Sequence, residues 1–220
     1  MPRDHVLILP GGGYGHLSDR NRAFTPPWLD GLGLANTVVD YPVADTHPTP
    51  LGDGPLRAVR AAIRERRAAG DERVAVIGFS AGGHLAGLAA YAPDAADDER
   101  PDLAILAYPV VSMLLPTHLA SRVNLLGEDA DEARRAAASL ERLVGPDAPP
   151  TFVWHTAEDV AVPVQHSYLL GTALAEAGVR HALHVFPRGE HGLNVGQGSG
   201  GVERWSEICE DWLRQEGWIA

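Results

Sequence analysis

The chain has 220 residues, of which 45% are hydrophobic and 21% are charged, and its formal net charge is −11. This length and composition predict one globular domain spanning residues 1–220, with a sizeable core. The negative charge argues against nucleic acid and against anionic membranes as partners, because both bind basic surfaces. Cys209 is the only cysteine, so no intrachain disulfide is possible.

Apolar runs and helical patterns alternate along the chain. The apolar runs predict six strands, at residues 5–10, 36–42, 73–79, 103–112, within 149–159 and at 180–187. Helical patterns cover residues 48–70, 80–92, 167–179 and 202–215. Such alternation predicts an α/β fold, with a parallel sheet covered by helices on both faces.

Residues 112–150 interrupt this alternation with a helical stretch that is rich in Ala, Glu and Arg. One interpretation is a small cap inserted over the edge of the sheet. The other is a long crossover that contains one or two helices. The sequence leaves both interpretations open.

A lone serine stands where the third strand meets the following helix. Residues 78–82, Gly-Phe-Ser-Ala-Gly, fit the G-x-S-x-G nucleophile elbow. The flanking residues of such a turn must be small to avoid the neighbouring strand and helix, and the turn exposes the hydroxyl of Ser80. The motif also arises by chance in glycine-rich chains, but its place between a strand and a helix favours a functional serine.

A serine nucleophile needs a base, and the chain offers an acid and a histidine in the expected order. Glu158 and Asp159 follow the fifth strand, and His191 follows the sixth. Each has an ordinary alternative, since Asp159 could cap a helix or lie at the surface, and His191 is one of ten histidines. Three such residues in order at three strand ends favour a catalytic triad.

Three consecutive glycines, residues 11–13, follow the first strand. Glycines let the backbone turn its N–H groups toward a substrate, where they could stabilise a developing negative charge. A phosphate loop is the alternative, but no Lys-Ser/Thr pair follows and no helix pattern opens at Gly15. Tyr14 and His16 are candidates for lining a substrate pocket, or they pack within the loop.

The segments PGGGYGHLS, DYPV, GFSAGGHLAG, AYPVVS, TFVWHTAEDVAVPVQHS and HVFPRGEHGL together resemble the esterase/lipase group of α/β-hydrolases. The chain is most similar to carbohydrate acetylesterases and to bacterial feruloyl- and acetylxylan-esterase-like domains. The resemblance covers residues 5 to about 195. It implies a three-layer fold whose mostly parallel sheet has about six strands, with the first strands of larger relatives missing and a short cap.

The resemblance also implies roles for individual residues. Ser80 would be the nucleophile, His191 the base and Asp159 the acid, because the family's aspartate precedes a Val-Pro pair by three residues, as Asp159 precedes Val162-Pro163. The oxyanion donors would be the backbone N–H groups of Gly12, Gly13 and Ala81. PGGG stands here where related lipases have HGGG.

These observations predict a serine esterase that acts on a small-molecule ester, and we expect neither a cofactor nor a metal. An amide or short-peptide hydrolase with the same triad and a non-catalytic binding scaffold are the alternatives. The charged helical part of residues 112–150 offers little apolar cover for a long acyl chain, which favours acetyl to butyryl esters. The apolar run at residues 6–9 is too short for a signal peptide or a membrane span, so the expected location is the cytoplasm.

Overall fold

Six strands form one sheet in which every neighbouring pair is parallel. In chain order the strands are β1 (Asp4–Leu9), β2 (Ala35–Val38), β3 (Arg73–Phe79), β4 (Leu103–Ala107), β5 (Thr151–Thr156) and β6 (His181–Phe186). Across the sheet they lie in the order β2-β1-β3-β4-β5-β6. This computed structural model describes residues 3–195 and 200–220. The predicted α/β fold with about six strands is confirmed.

The strands differ in burial according to their place in the sheet. β3, β4 and β5 are almost entirely buried on both faces, as expected for central strands of a parallel sheet. β2 and β6 lie at the two edges and keep partly exposed side chains. Alternate residues of each strand face opposite sides of the sheet, so Leu7 and Leu9 of β1 enter one core while Val6 and Ile8 enter the other.

Helices cover both faces of the sheet. In the described residues they are α1 (Asp19–Gly31), α2 (Gly54–Ala68), α3 (Ala81–Tyr91), α4 (Leu119–Leu126), α5 (Glu132–Ala137), α6 (Gln165–Glu176) and α7 (Arg204–Gln215). Buried side chains of α2, α3 and α6 join the core on one face, and those of α1 and α7 join the core on the other. Cys209 of α7 lies in the second core and is fully buried.

The strand order places a crevice between β1 and β3. The chain runs from β1 outward to β2 and then returns to the other side of β1 to form β3. The connections at the carboxyl ends of β1 and β3 therefore diverge, and ligands of open α/β sheets bind in such crevices. Gly11 to Gly13 follow β1, and Ser80 follows β3, so both segments lie at this position.

Helix α1 was not among the predicted helices, because Pro26 and Pro27 lie inside it. Proline removes a backbone donor and disfavours a helix interior. The helix forms because Ser18 caps its first turn by accepting from the Asn21 N–H, and because Thr25 and Leu29 bury one face four residues apart. Tertiary contacts here outweigh the local propensity of the sequence.

Residues 112–150 form α4, α5 and a short 3₁₀ turn. Asn124 of α4 donates from its side-chain amide to the Gly13 carbonyl (3.0 Å), and Leu140 packs on α3 at Gly87. The segment therefore lies against both the glycine loop and the helix that follows Ser80. No helix in the described part of the chain is long and apolar enough to cross a membrane.

Candidate active site

The turn at Ser80 is strained, and the glycines on either side of it leave no room for a side chain. Ser80 has φ 54° and ψ −117°, a conformation that side chains rarely adopt. A Cβ on Gly78 would overlap the Gly82 carbonyl, and a Cβ on Gly82 would overlap the Leu9 carbonyl. The glycines thus allow β3, α3 and the end of β1 to approach closely while the serine side chain faces the crevice.

Three residues from three strand ends form a chain of hydrogen bonds. Ser80 Oγ lies 2.7 Å from His191 Nε2, and His191 Nδ1 lies 2.6 Å from Asp159 Oδ2. An ionised carboxylate only accepts, so Nδ1 carries the proton and Nε2 is free to accept from the serine hydroxyl. The ring of Tyr108 meets His191 edge to face, with 4.9 Å between centroids, and limits how the imidazole can turn.

The Asp159 carboxylate is fully buried and has four hydrogen-bond donors. Oδ1 accepts from the backbone N–H groups of Ala161 and Val162, each at 2.9 Å. Oδ2 accepts from His191 and from His155 Nε2 at 3.1 Å. Burial by itself raises the pKa of Asp159, but the hydrogen bonds from His155 and His191 outweigh it and hold the pKa well below its usual range. The group is therefore charged at neutral pH.

Glu158, the competing acid, lies elsewhere. Its side chain is exposed, and its Oε2 accepts from the Gly189 N–H at 3.1 Å. The structure thus brings Asp159, and not Glu158, to the imidazole of His191.

Backbone donors surround the serine. Gly12 and Gly13 have φ values of 125° and 65°, and their N–H groups have no hydrogen-bond partner within residues 3–195 and 200–220. The Ala81 N–H belongs to the first residue of α3, where helix N–H groups have no partner in the helix. Helix α1 begins four residues after Gly15 with its own cap and an acidic first turn, which disfavours the alternative of a phosphate loop.

A pocket of about 270 Å³ opens over these groups. It is lined by Gly11, Gly12, Gly13, His16, Ser18, Asn21, Phe79, Ser80, Tyr108, His118, His191 and Gly192. His16, a predicted pocket residue, is exposed and is part of this lining.

The prediction that Tyr14 lines the pocket is wrong. Its side chain is fully buried, and its hydroxyl lies 2.8 Å from His84 Nδ1. Tyr14 has a positive φ (57°), and its ring packs in the core beside Tyr41. His84 Nε2 in turn donates to the Ala138 carbonyl at 2.7 Å, so this pair of rings ties the glycine loop to residues 112–150.

A polar network missed by the sequence analysis joins the glycine loop to the histidine loop. The Gly11 N–H donates to Asn21 Oδ1, and the Asn21 amide donates to Asn194 Oδ1, both at 2.9 Å. The Asn194 N–H donates to the Tyr108 hydroxyl at 3.1 Å. Asn21 lies in a helix that was not predicted, and no motif marks Asn194, so no sequence signal pointed to their pairing.

Two further histidines were also missed. His155 stands four residues before Asp159 at the end of β5, and its Nδ1 accepts from the Ser167 hydroxyl at 2.7 Å. This leaves Nε2 to donate to Asp159. Its position just before the candidate acid was the available sequence signal. His118, at the start of α4, has no such signal and reaches the pocket only through the fold of residues 112–150.

Comparisons with known proteins identify the family. The profile of the prolyl oligopeptidase family (Peptidase_S9) matches residues 55–216. The chain belongs to this family of α/β-hydrolases. Endo-1,4-beta-xylanase B of Butyrivibrio fibrisolvens is 36% identical over 210 residues, which is 89% of this chain and 33% of that protein. The acetylxylan esterase of Xylanibacter ruminicola is 32% identical over 201 residues, 87% of this chain and 41% of that protein.

A solved structure of another hydrolase is also similar to this chain. The acetyl ester-xyloside bifunctional hydrolase of Caldicellulosiruptor lactoaceticus superposes with a TM-score of 0.90 and 35% identity, covering 100% of this chain and 85% of that one. The chain spans less than half the length of the two bacterial relatives named above. The predicted group, α/β-hydrolases of the carbohydrate-esterase type, is confirmed.

Proposed function

We propose that this protein is a serine carboxylic-ester hydrolase that removes short acyl groups, acetyl above all, from carbohydrates. The observation that carries the proposal is the hydrogen-bonded chain from Ser80 through His191 to Asp159. Beside it lie the Gly12 and Gly13 N–H groups, which have no partner among the described residues. An activated oxygen nucleophile next to free donors suits an acyl transfer through a tetrahedral intermediate.

In the proposed mechanism, Ser80 Oγ attacks the ester carbonyl carbon as its proton passes to His191 Nε2. The carbonyl electron pair moves to oxygen, and the N–H groups of Gly12, Gly13 and Ala81 stabilise the oxyanion. Collapse of the intermediate expels the alcohol oxygen, which takes the proton from His191. Water then attacks the acyl-enzyme with His191 as base, the carboxylic acid leaves, and Ser80 regains its proton.

The small pocket supports a preference for short acyl groups. Its volume of about 270 Å³ must hold the acyl group and part of the alcohol. In this proposal residues 112–150 serve as a small cap, and the α5 part of that cap has no buried residue with which to cover a longer chain. Each added methylene would stabilise binding by about 0.8 kcal/mol only where further apolar surface covers it.

The carbohydrate assignment is supported by the relatives, whose names refer to xylan and to xylosides. The family name raises peptide hydrolysis as a second candidate. Against it, no Asp, Glu, Arg or Lys lines the part of the pocket formed by described residues, so nothing there is suited to a charged peptide terminus.

Two experiments test the proposal. A fluorophosphonate probe should label the wild-type protein at Ser80 and should not label Ser80→Ala. Values of kcat/KM should fall from acetyl through butyryl to octanoyl 4-nitrophenyl esters, and acetylated xylo-oligosaccharides should release acetate. Faster cleavage of peptidyl 4-nitroanilides than of these esters would favour the peptidase, and equal turnover of octanoyl and acetyl esters would refute the short-acyl preference.

A further inference from the structure

The imidazole of His118 lines the pocket that contains Ser80. His118 is the residue that precedes α4. Its Nδ1 lies 3.0 Å from the hydroxyl of Ser121, and Ser121 is fully buried. This bond fixes the plane of the ring. A Cβ placed on Gly13 would lie 2.9 Å from His118 Cε1, so the ring packs directly against the glycine loop.

The other ring nitrogen of His118 is free. Among residues 3–195 and 200–220, no hydrogen-bond partner is found for Nε2, although the residue lines the pocket. Partial burial and the nearby charge of His191 lower the pKa of His118, so the ring is neutral at neutral pH. The pocket lining thus includes, besides His16 and His191, a neutral imidazole that is held at one nitrogen.

His118 is not placed to act as a second base for Ser80. Its anchored nitrogen faces a serine hydroxyl rather than a carboxylate, so the ring lacks the direct hydrogen bond to a carboxylate that His191 has to Asp159. A neutral, fixed imidazole with one free nitrogen is instead suited to hydrogen-bond a hydroxyl group. Either tautomer would serve, because a hydroxyl both donates and accepts.

The position of the alcohol follows from the proposed reaction. His191 must return its proton to the leaving oxygen, so the alcohol half of the ester lies beside His191, and His118 lines the same pocket as His191. We propose that His118 Nε2 hydrogen-bonds a hydroxyl on the carbon next to the esterified one. His118 would then be a specificity-determining residue for monoacetates of vicinal diols, the arrangement found on a sugar ring. This inference rests on the proposed esterase function.

The experiment compares three acetates on the same enzyme: trans-2-hydroxycyclohexyl acetate, cyclohexyl acetate and 4-nitrophenyl acetate. The first two differ only in the vicinal hydroxyl. In the wild type, the hydroxyl should raise kcat/KM about fivefold to tenfold, the range of one neutral hydrogen bond. His118→Phe should reduce this ratio to about one, and turnover of 4-nitrophenyl acetate, which has no hydroxyl to bind, measures separately how much general esterase activity the variant retains.

Two more variants complete the design. His118→Gln keeps a polar group near the position of Nε2 and should retain part of the hydroxyl preference, which also covers the case that His118→Phe folds poorly. His181→Phe replaces a partly buried histidine at the amino end of β6, away from the pocket, and should keep the wild-type ratio.

The outcomes separate this inference from the proposed function. A wild-type ratio near one, or a ratio unchanged in His118→Phe, would overturn the role of His118 and leave the esterase proposal intact. A loss of more than tenfold on 4-nitrophenyl acetate in both folded His118 variants would also overturn it, by placing His118 in the general machinery. Failure of the wild type on all three acetates would overturn the proposed function itself.

Discussion

The two edges of the sheet are built in opposite ways. Four non-glycine residues in the described chain have positive φ, namely Tyr14, Ser80, Tyr108 and Asn194, and all four follow the carboxyl ends of strands. The amino edge has none of them. The amino edge instead has ion pairs. Arg73 pairs with Asp4 at 2.5 Å, and Arg66 pairs with the buried Asp71 at 2.7 Å.

The larger cavity does not lie at the edge of the sheet that contains Ser80. The amino edge has the larger cavity, about 730 Å³, lined by charged groups that already pair with one another, such as Arg66 and Asp71. The smaller pocket at the carboxyl edge contains the strained Ser80 and the glycine loop at Gly12 and Gly13. The comparison teaches that strained backbone marks the reactive edge while the opposite edge contributes stability.

The largest expected effect is the loss of catalysis at the carboxyl edge. Ser80→Ala should lower kcat/KM for 4-nitrophenyl acetate by about 10⁵-fold, because no nucleophile remains and only substrate binding and the oxyanion donors contribute. Thermal unfolding should stay close to wild type, since the side chain lies at the tip of a turn. Turnover within tenfold of wild type would contradict a Ser80 nucleophile.

The two neighbouring acids should differ sharply. Asp159→Asn should lower kcat by about 10³- to 10⁴-fold, because the amide favours the wrong tautomer of His191. Glu158→Gln should stay within about threefold, because Glu158 contacts only the Gly189 N–H, which the amide oxygen can still bind. Steady-state kinetics of both variants on one acetate ester is the measurement, and the reverse ranking would transfer the role of the acid to Glu158.

Acid should destabilise the fold through His84, whose buried ring contacts Tyr14 and the Ala138 carbonyl. Burial lowers the pKa of His84 to about 4. Below pH 6.5 the unfolded chain takes up a proton at this residue and the folded chain does not, so this stability is present above pH 6.5 and is lost as the pH falls to 4. The loss should be roughly 3 kcal/mol.

The control for this pH effect is His84→Gln, which does not titrate. Urea unfolding at pH 7 and pH 4 should show a smaller loss of stability in His84→Gln than in the wild type, even if the variant is less stable at both pH values. Equal losses in the two proteins would show that His84 is not the responsible group.

At the amino edge, a substitution should change stability without changing catalysis. The Asp71 carboxylate lies near Arg66, Arg3 and His5, so Asp71→Asn removes the charge that these groups surround. Unfolding free energy should fall by about 1–3 kcal/mol, and kcat/KM should stay unchanged. A parallel loss of activity in the folded variant would show that the two edges are not independent.

The smallest expected effect is a gain in stability. Ser80→Gly removes the Cβ from a strained conformation and should raise stability by about 1 kcal/mol, because relief of strain exceeds the added entropy of the unfolded chain. Ser80→Ala keeps the Cβ and serves as the matched control. If glycine were no more stable than alanine in urea unfolding, the turn would not store strain.

The sequence alone was enough to predict the strands of the sheet and the turn at Ser80. Short apolar runs bounded by Gly and Pro located all six strands. The signal is clearest for the central strands, because these are buried on both faces and are therefore largely hydrophobic. The pattern Gly-x-Ser-x-Gly located the turn at Ser80, because only glycine fits where Gly78 and Gly82 meet other backbone. Local sterics and burial can be read from a few adjacent residues.

Only the tertiary structure decided the rest. Helix α1 forms despite Pro26 and Pro27 because distant residues such as Asn194 contact its buried face. Tyr14 enters the core rather than the pocket, and His118 reaches the pocket from a segment that no motif marks. These outcomes depend on contacts between residues far apart in the chain, whose free energies outweigh local propensity and leave no pattern in the neighbouring sequence.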